Sequence, residues 1–290
     1  MFPVSCGSAV FGGGLMGDSL TIAELLWELE ALHGRTAAEI SLETYEDART
    51  AIEQSKSGMS YLVRDVIAAL PESEELLNHM GVDVRVTPVG LRNAGQELAQ
   101  RERLVLRQVD YGATEGATRW FDDPALSQLL NGTIIVWYLR DLDSTAAYPV
   151  IWSDFWIPSA AQATRIQWDY AQVVEQIERG VHLSNEGAFL GTCPRHGGGF
   201  KVESPSTSEP GSVTDDHPTL GVAERRAWEL KRGAVEEILA SSLRRLVGAD
   251  RLAVADVFPA IGLPPVADTE GFETRSQQLM DAMSHGGDNF

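Results

Sequence analysis

One short stretch of the chain sets carboxylates and a cation at a spacing that could do phosphodiester chemistry. Gly81-Val82-Asp83-Val84-Arg85-Val86-Thr87-Pro88-Val89 alternates apolar and polar side chains with period two, which predicts a strand that Pro88 ends. Asp83 and Arg85 then leave one face, while Val82, Val84 and Val86 leave the other. A Pro71-Glu72 pair stands just upstream, with Glu72 eleven residues before Asp83. An acid, a gap, then acid-x-base on a strand is a way to hold a divalent metal, which orients water and stabilises charge on phosphorus. Glu72 and Asp83 are therefore candidate metal ligands, and Glu72, Asp83 and Arg85 candidate catalytic residues. The same acid-x-base pattern also occurs on solvated sheet edges, so the surrounding elements must decide between the two.

Those elements are readable in outline. Thr21-Ile22-Ala23-Glu24 is a capping box, followed by Leu25, Leu26, Leu29 and Leu32 at helical spacing and closed by Gly34. An acidic helix is expected over about residues 41–55. A further helix is expected over 57–70, with Tyr61, Leu62, Val66 and Ile67 on one face and Pro71 as its stop. After the key strand, 90–100 reads as a loop. Gly132-Thr133-Ile134-Ile135-Val136-Trp137-Tyr138-Leu139 is a near-continuous β-rich apolar run, so a central strand. Val150-Ile151-Trp152 and Phe155-Trp156-Ile157 form the next extended pair, and 168–179 a helix closed by Gly180. The whole reads as one α/β domain over 18–265, an α+β arrangement of a mixed sheet flanked by helices. A flexible Gly-rich start (1–17), an exposed loop (204–217) and a polar tail (266–290) complete it.

Composition narrows the function. The 290 residues are 43% hydrophobic, enough for a sizeable core, and the net charge is −19. That charge argues against a broadly cationic nucleic-acid surface, so any DNA contact must use a local basic patch. No apolar run reaches membrane-spanning length. The first seventeen residues lack the Lys or Arg of a signal peptide. Cys6 and Cys193 lack metal-ligand spacing, and the pair Cys193/His196 has no second ligand pair nearby. Two free thiols in a reducing cytosol, and so a cytoplasmic protein, are the expectation.

Basic residues concentrate in a few places. Arg101-Glu102-Arg103-Leu104-Val105-Leu106-Arg107 carries three arginines that suit either a solvated amphipathic segment or phosphate contacts. Arg195 opens a segment with three glycines. The densest basic stretch is Glu224-Arg225-Arg226-Ala227-Trp228-Glu229-Leu230-Lys231-Arg232, with helix-like spacing continuing through Val235, Ile238, Leu239 and Leu243.

Taken in order, four blocks resemble the MutH mismatch-repair nuclease and, more closely, the GATC-cutting restriction endonucleases of the same fold, the Sau-three-A type. Gly81 to Pro88 is similar to that family's Gly-apolar-Glu-apolar-Lys-Val-Thr-Pro strand. Arg101 to Leu106 is similar to Lys-Glu-Arg-Leu-Val-Leu. Leu183 to Cys193 resembles a Leu-Ser-Glu-Gly…Leu-Gly-Ala-Cys-Thr block, and Arg225 to Lys231 resembles Gln-Arg-Ala-Phe-Ser-Leu-Lys. The resemblance spans roughly residues 50–245 and implies a PD-(D/E)xK nuclease fold that cuts duplex DNA with Mg2+. It also implies phosphate or base contacts from Arg225, Arg226 and Lys231, beside Arg101, Arg103 and Arg195.

The departures fall on the catalytic positions. Asp83 stands where the family has Glu, Arg85 where it has Lys, and Pro71-Glu72 where it has Pro-Asp, with Glu74 and Glu75 as competing acids. The family's helix glutamate falls at Arg64, beside Asp65, although Lys56 and Gly58 keep the Lys-Gly start of that helix. Arginine does not accept a proton near neutral pH. Two expectations follow: a metal-dependent endonuclease with a rebuilt site, or a non-cutting DNA-binding subunit of a restriction, defence or repair system. The acidic charge keeps a third, a protein-binding module. A single copy of the fold implies a homodimer or a protein partner if both strands are to be engaged.

Overall fold

The computed structural model describes residues 20–44, 58–140, 142, 145–184, 187–195, 214–247, 252–263 and 269–286. The segments 1–17, most of the expected 41–55 helix, Cys6, His196 and 204–213 lie outside them. The described chain is a mixed α/β assembly: a mixed sheet flanked by helices, with two smaller sheets beside it. No helix among the described residues is long and apolar enough to cross a membrane.

The main sheet has the order β2-β1-β4-β5, from β1 (Asp83–Arg92), β2 (Glu97–Gln100), β4 (Thr133–Leu139) and β5 (Val150–Trp156). Between them in sequence lies β3 (Leu104–Gln108), which belongs to the second sheet. β1 and β4 run parallel, and the other two pairs are antiparallel. Every residue of β4 is buried, because both of its faces are covered. Ile134, Val136 and Tyr138 pack with α1 (Ile22–Glu30), α2 (Ala37–Thr44) and α3 (Gly58–Ala69) through Leu25, Leu29, Ile40, Leu62 and Val63. Ile135, Trp137 and Leu139 pack on the opposite side with α6 (Ala160–Glu178), α7 (Arg232–Val247) and the second sheet. That second sheet has the order β3-β9-β6, adding β6 (Leu190–Pro194) and β9 (Arg226–Leu230). A separate hairpin joins β7 (Thr214–His217) to β8 (Gly221–Glu224).

Several expectations need correcting. Pro88 does not end the key strand, which runs on to Arg92. The Asp83 N–H bonds to the Gly132 carbonyl and the Val89 carbonyl accepts from the Arg140 N–H, so odd-numbered residues of β1 face β4. Pro88, an even residue, therefore aims its missing N–H at the opposite side, where pairing with β2 begins only at Val89. Residues 90–100 are not a loop but the β1–β2 hairpin, turned by Asn93, Ala94 and Gly95 in left-handed conformation. The basic stretch from Arg226 to Leu230 is β9 rather than the front of a helix, which starts at Arg232. The tail carries α9 (Thr269–Gly286), which buries Phe272 and Met280 against the rest of the chain.

Candidate functional site: a cleft at the half-open edge of β1

The strand carries its polar residues as the alternation requires. Val82 and Val84 are buried in the helical layer, with Val86 packed against it. Asp83, Arg85 and Thr87 share register with Thr133, Ile135 and Trp137 on the opposite face. Because β2 pairs only with Val89 to Arg92, the first half of β1 has an open edge. A cleft of about 220 Å3 follows that edge. Its far walls are Ser60 and Arg64, one helical turn apart on α3, and Glu102, Arg103, Leu104 and Val105 at the entry to β3.

Each oxygen of the Asp83 carboxylate has a partner on β1 itself. Its Oδ2 lies 2.5 Å from Arg85 Nη2, and its Oδ1 accepts from the Val84 N–H at 2.9 Å, covering an amide of the open edge. Arg85 is correspondingly half used, since its Nε is buried without a hydrogen-bond partner. Thr87 Oγ1 accepts from Gln100 Nε2 at 2.8 Å, which leaves its hydroxyl proton to donate. The same Gln100 amide reaches the Glu102 carbonyl, and the Glu102 carboxylate pairs with Arg140.

Glu72 does not line this cleft. It is exposed, sits immediately before α4 (Ser73–Met80) with φ 63°, and makes no capping bond with its side chain. Among the described residues no three His, Cys, Asp or Glu side chains gather as a metal-ligand set. Mg2+ asks for near-octahedral oxygen ligands, whereas the one carboxylate on β1, Asp83, already holds the Arg85 guanidinium. The residues present at the resemblance-implied metal position therefore do not fit the ion.

The remaining basic candidates divide sharply. Arg103 joins the cleft, with Nε 3.0 Å from the buried Glu229 carboxylate, and Lys231 Nζ reaches the other oxygen of Glu229 at 2.9 Å. Glu229 also sits beside the Cys193 thiol, and burial first, then that carboxylate, pushes the thiol up. Arg226 belongs to the interior, 6% exposed, bonded to Thr192 Oγ1 at 2.9 Å, the Thr192 carbonyl at 3.1 Å and Glu224 at 2.8 Å. Arg225 pairs with Asp215 at 2.8 Å. Arg101 is exposed and donates to the Leu91 carbonyl, and Arg195 is exposed just beyond β6.

So the structure brings Arg85 and Arg103 to one cleft, ties Asp83 to it only through its pair with Arg85, sends Arg226 inward, and leaves Glu72, Arg101, Arg195 and Arg225 off its walls. Sequence reasoning assigned no binding role to Arg64, Ser60, Thr87 or Glu229. Ser60 and Arg64 did carry a signal, since i,i+4 spacing puts both on one helix face. Thr87 extends the Asp83–Arg85 alternation by one step. In the comparisons with known proteins, no family model and no curated protein matches the chain.

Proposed function

We propose that this chain is a DNA-binding relative of the MutH and Sau-three-A type nucleases, with their PD-(D/E)xK fold, that holds duplex DNA without cutting it. The observation that carries the reading is the Asp83–Arg85 pair at 2.5 Å. It turns the acid-x-base unit of a metal nuclease into an internally neutralised pair. A guanidinium beside the carboxylate opposes a second cation there, and Arg85 does not serve as a proton acceptor near neutral pH. Beside that pair the groove is lined by Arg64, which has no ion-pair partner among the described residues, by Arg103, which leans on Glu229, and by Glu102, whose charge Arg140 meets.

The net charge of −19 confines any such contact to this groove and its rim. With one copy of the fold, a homodimer or a protein partner is needed for a symmetric grip on both strands.

Two assays on the full chain test the reading. Titration of a short labelled duplex is expected to give binding that weakens steeply as salt rises. Supercoiled plasmid incubated with Mg2+ or Mn2+ is expected to stay intact. Cutting that disappears in Asp83→Ala would establish the endonuclease reading instead. A flat titration at low salt would leave the protein-binding module.

A further inference from the structure

The cleft's chemistry goes one step beyond DNA binding in general, and resting on that reading, it concerns what occupies the place of a nuclease metal. We infer that the cleft is a metal-independent phosphate site in which one phosphate group displaces the Asp83 carboxylate from the Arg85 guanidinium.

The donors converge without any metal. Arg85 has a buried Nε with no hydrogen-bond partner, and its Nη2 is held by Asp83. Arg64 lines the cleft from α3 and has no ion-pair partner among the described residues. Thr87 has a hydroxyl proton to give, because its oxygen already accepts from Gln100. By the alternation along β1, the Val86 N–H lies on the open edge as well. Guanidinium forks and edge amides are the groups that grip phosphate oxygens.

Asp83 is then an internal competitor. It occupies one arm of Arg85 while the cleft is empty, and an incoming phosphate takes that arm over. The opposing charge signs set this apart from a metal site. A ligand to Mg2+ helps phosphate binding, so its removal weakens it; a competitor hinders phosphate binding, so its removal strengthens it. Asp83→Asn makes the distinction cleanly. The amide oxygen can still accept from the Val84 N–H, while the negative charge is gone.

The test uses the full chain with two probes, a short duplex and inorganic phosphate, each in EDTA and in Mg2+ at matched ionic strength. We expect the wild type to bind equally well in both buffers. Asp83→Asn is expected to bind both probes roughly three- to fivefold tighter, the size of releasing one partly exposed ion pair. Arg64→Ala, a surface change, is expected to bind the duplex several-fold weaker and to lower the salt slope by about one. Asp83→Asn binding more weakly, or Mg2+ tightening the wild type, overturns the inference. So does phosphate failing to bind while duplex does, which would leave DNA binding standing at another surface. Phosphate binding with the predicted Asp83→Asn gain but no duplex binding would keep this site and remove the DNA reading.

Discussion

Two clusters of arginine in this molecule look alike in the sequence and differ in what they can offer a ligand. The β9 strip, with Arg225, Arg226 and Lys231, is the denser one. Each of its cations meets a carboxylate of the same chain: Asp215, Glu224 and Glu229. The β1 cleft has fewer cations per residue of sequence. Yet Arg64 is unpaired among the described residues, and Arg85 keeps an unused Nε. A buried ion pair is costly to break from one side, so charge committed to the interior is withdrawn from recognition. In a protein of net charge −19, counting arginines finds the strip, while accounting for their partners finds the cleft.

The largest effect that would sharpen this contrast is on folding. Arg226→Ala removes a side chain 6% exposed together with its bonds to Thr192 and Glu224. It should destabilise the protein by about 2–4 kcal/mol in denaturant titrations. Duplex affinity of the folded fraction should stay within about twofold, since strip cations already have partners. A stable variant with lost DNA binding would break the comparison.

Acid supplies the next effect and sets the pH window for all the others. His33 links the helical layer to β5, with Nε2 3.1 Å from Ser153 Oγ, and burial lowers its pKa to about 4. In the unfolded chain an imidazole titrates near 6.5. Below that pH the unfolded state takes up a proton that the folded state refuses until about pH 4. Stability contributed at neutral pH is therefore lost as pH falls from about 6.5 toward 4, by at most about 3 kcal/mol. His33→Gln should flatten the stability profile over that window in thermal melts. Unchanged acid sensitivity would mean that other groups carry it. Binding comparisons between strip and cleft belong above this window.

The smallest effect concerns Glu72. Its backbone sits at φ 63°, where a non-glycine residue is strained, and its side chain caps nothing. Glu72→Gly should raise stability by roughly half a kcal/mol and leave duplex binding unchanged. Loss of DNA binding would restore Glu72 to the site.

How much of this was legible follows from how local each signal is. The capping box Thr21–Glu24 predicted the start of α1, and both of its reciprocal bonds are present. The apolar run of β4 and the faces of Val82 and Val84 against Asp83 and Arg85 were readable because period and burial agree. Pro88 misled because tolerance of proline depends on which side of the strand has a neighbour, a property of sheet order. β9 misled because its charges suggested an exposed helix, whereas Glu229 is a fully buried carboxylate paired with Arg103 from the entry to β3 and with Lys231. The tail misled because two buried apolar residues, Phe272 and Met280, anchor a helix that is otherwise polar. At the candidate site, residue types and their alternation were readable, but not the closure of Asp83 onto Arg85 or the arrival of α3 opposite them.

The most direct test of the central contrast is the dependence of duplex affinity on salt for three proteins: wild type, Arg64→Ala in the cleft and Arg225→Ala in the strip. The account predicts that Arg64→Ala lowers the slope of log affinity against log salt by about one, while Arg225→Ala leaves it unchanged. The reverse pattern, a slope lost with Arg225→Ala and kept with Arg64→Ala, would contradict it and move the DNA surface to the β9 strip.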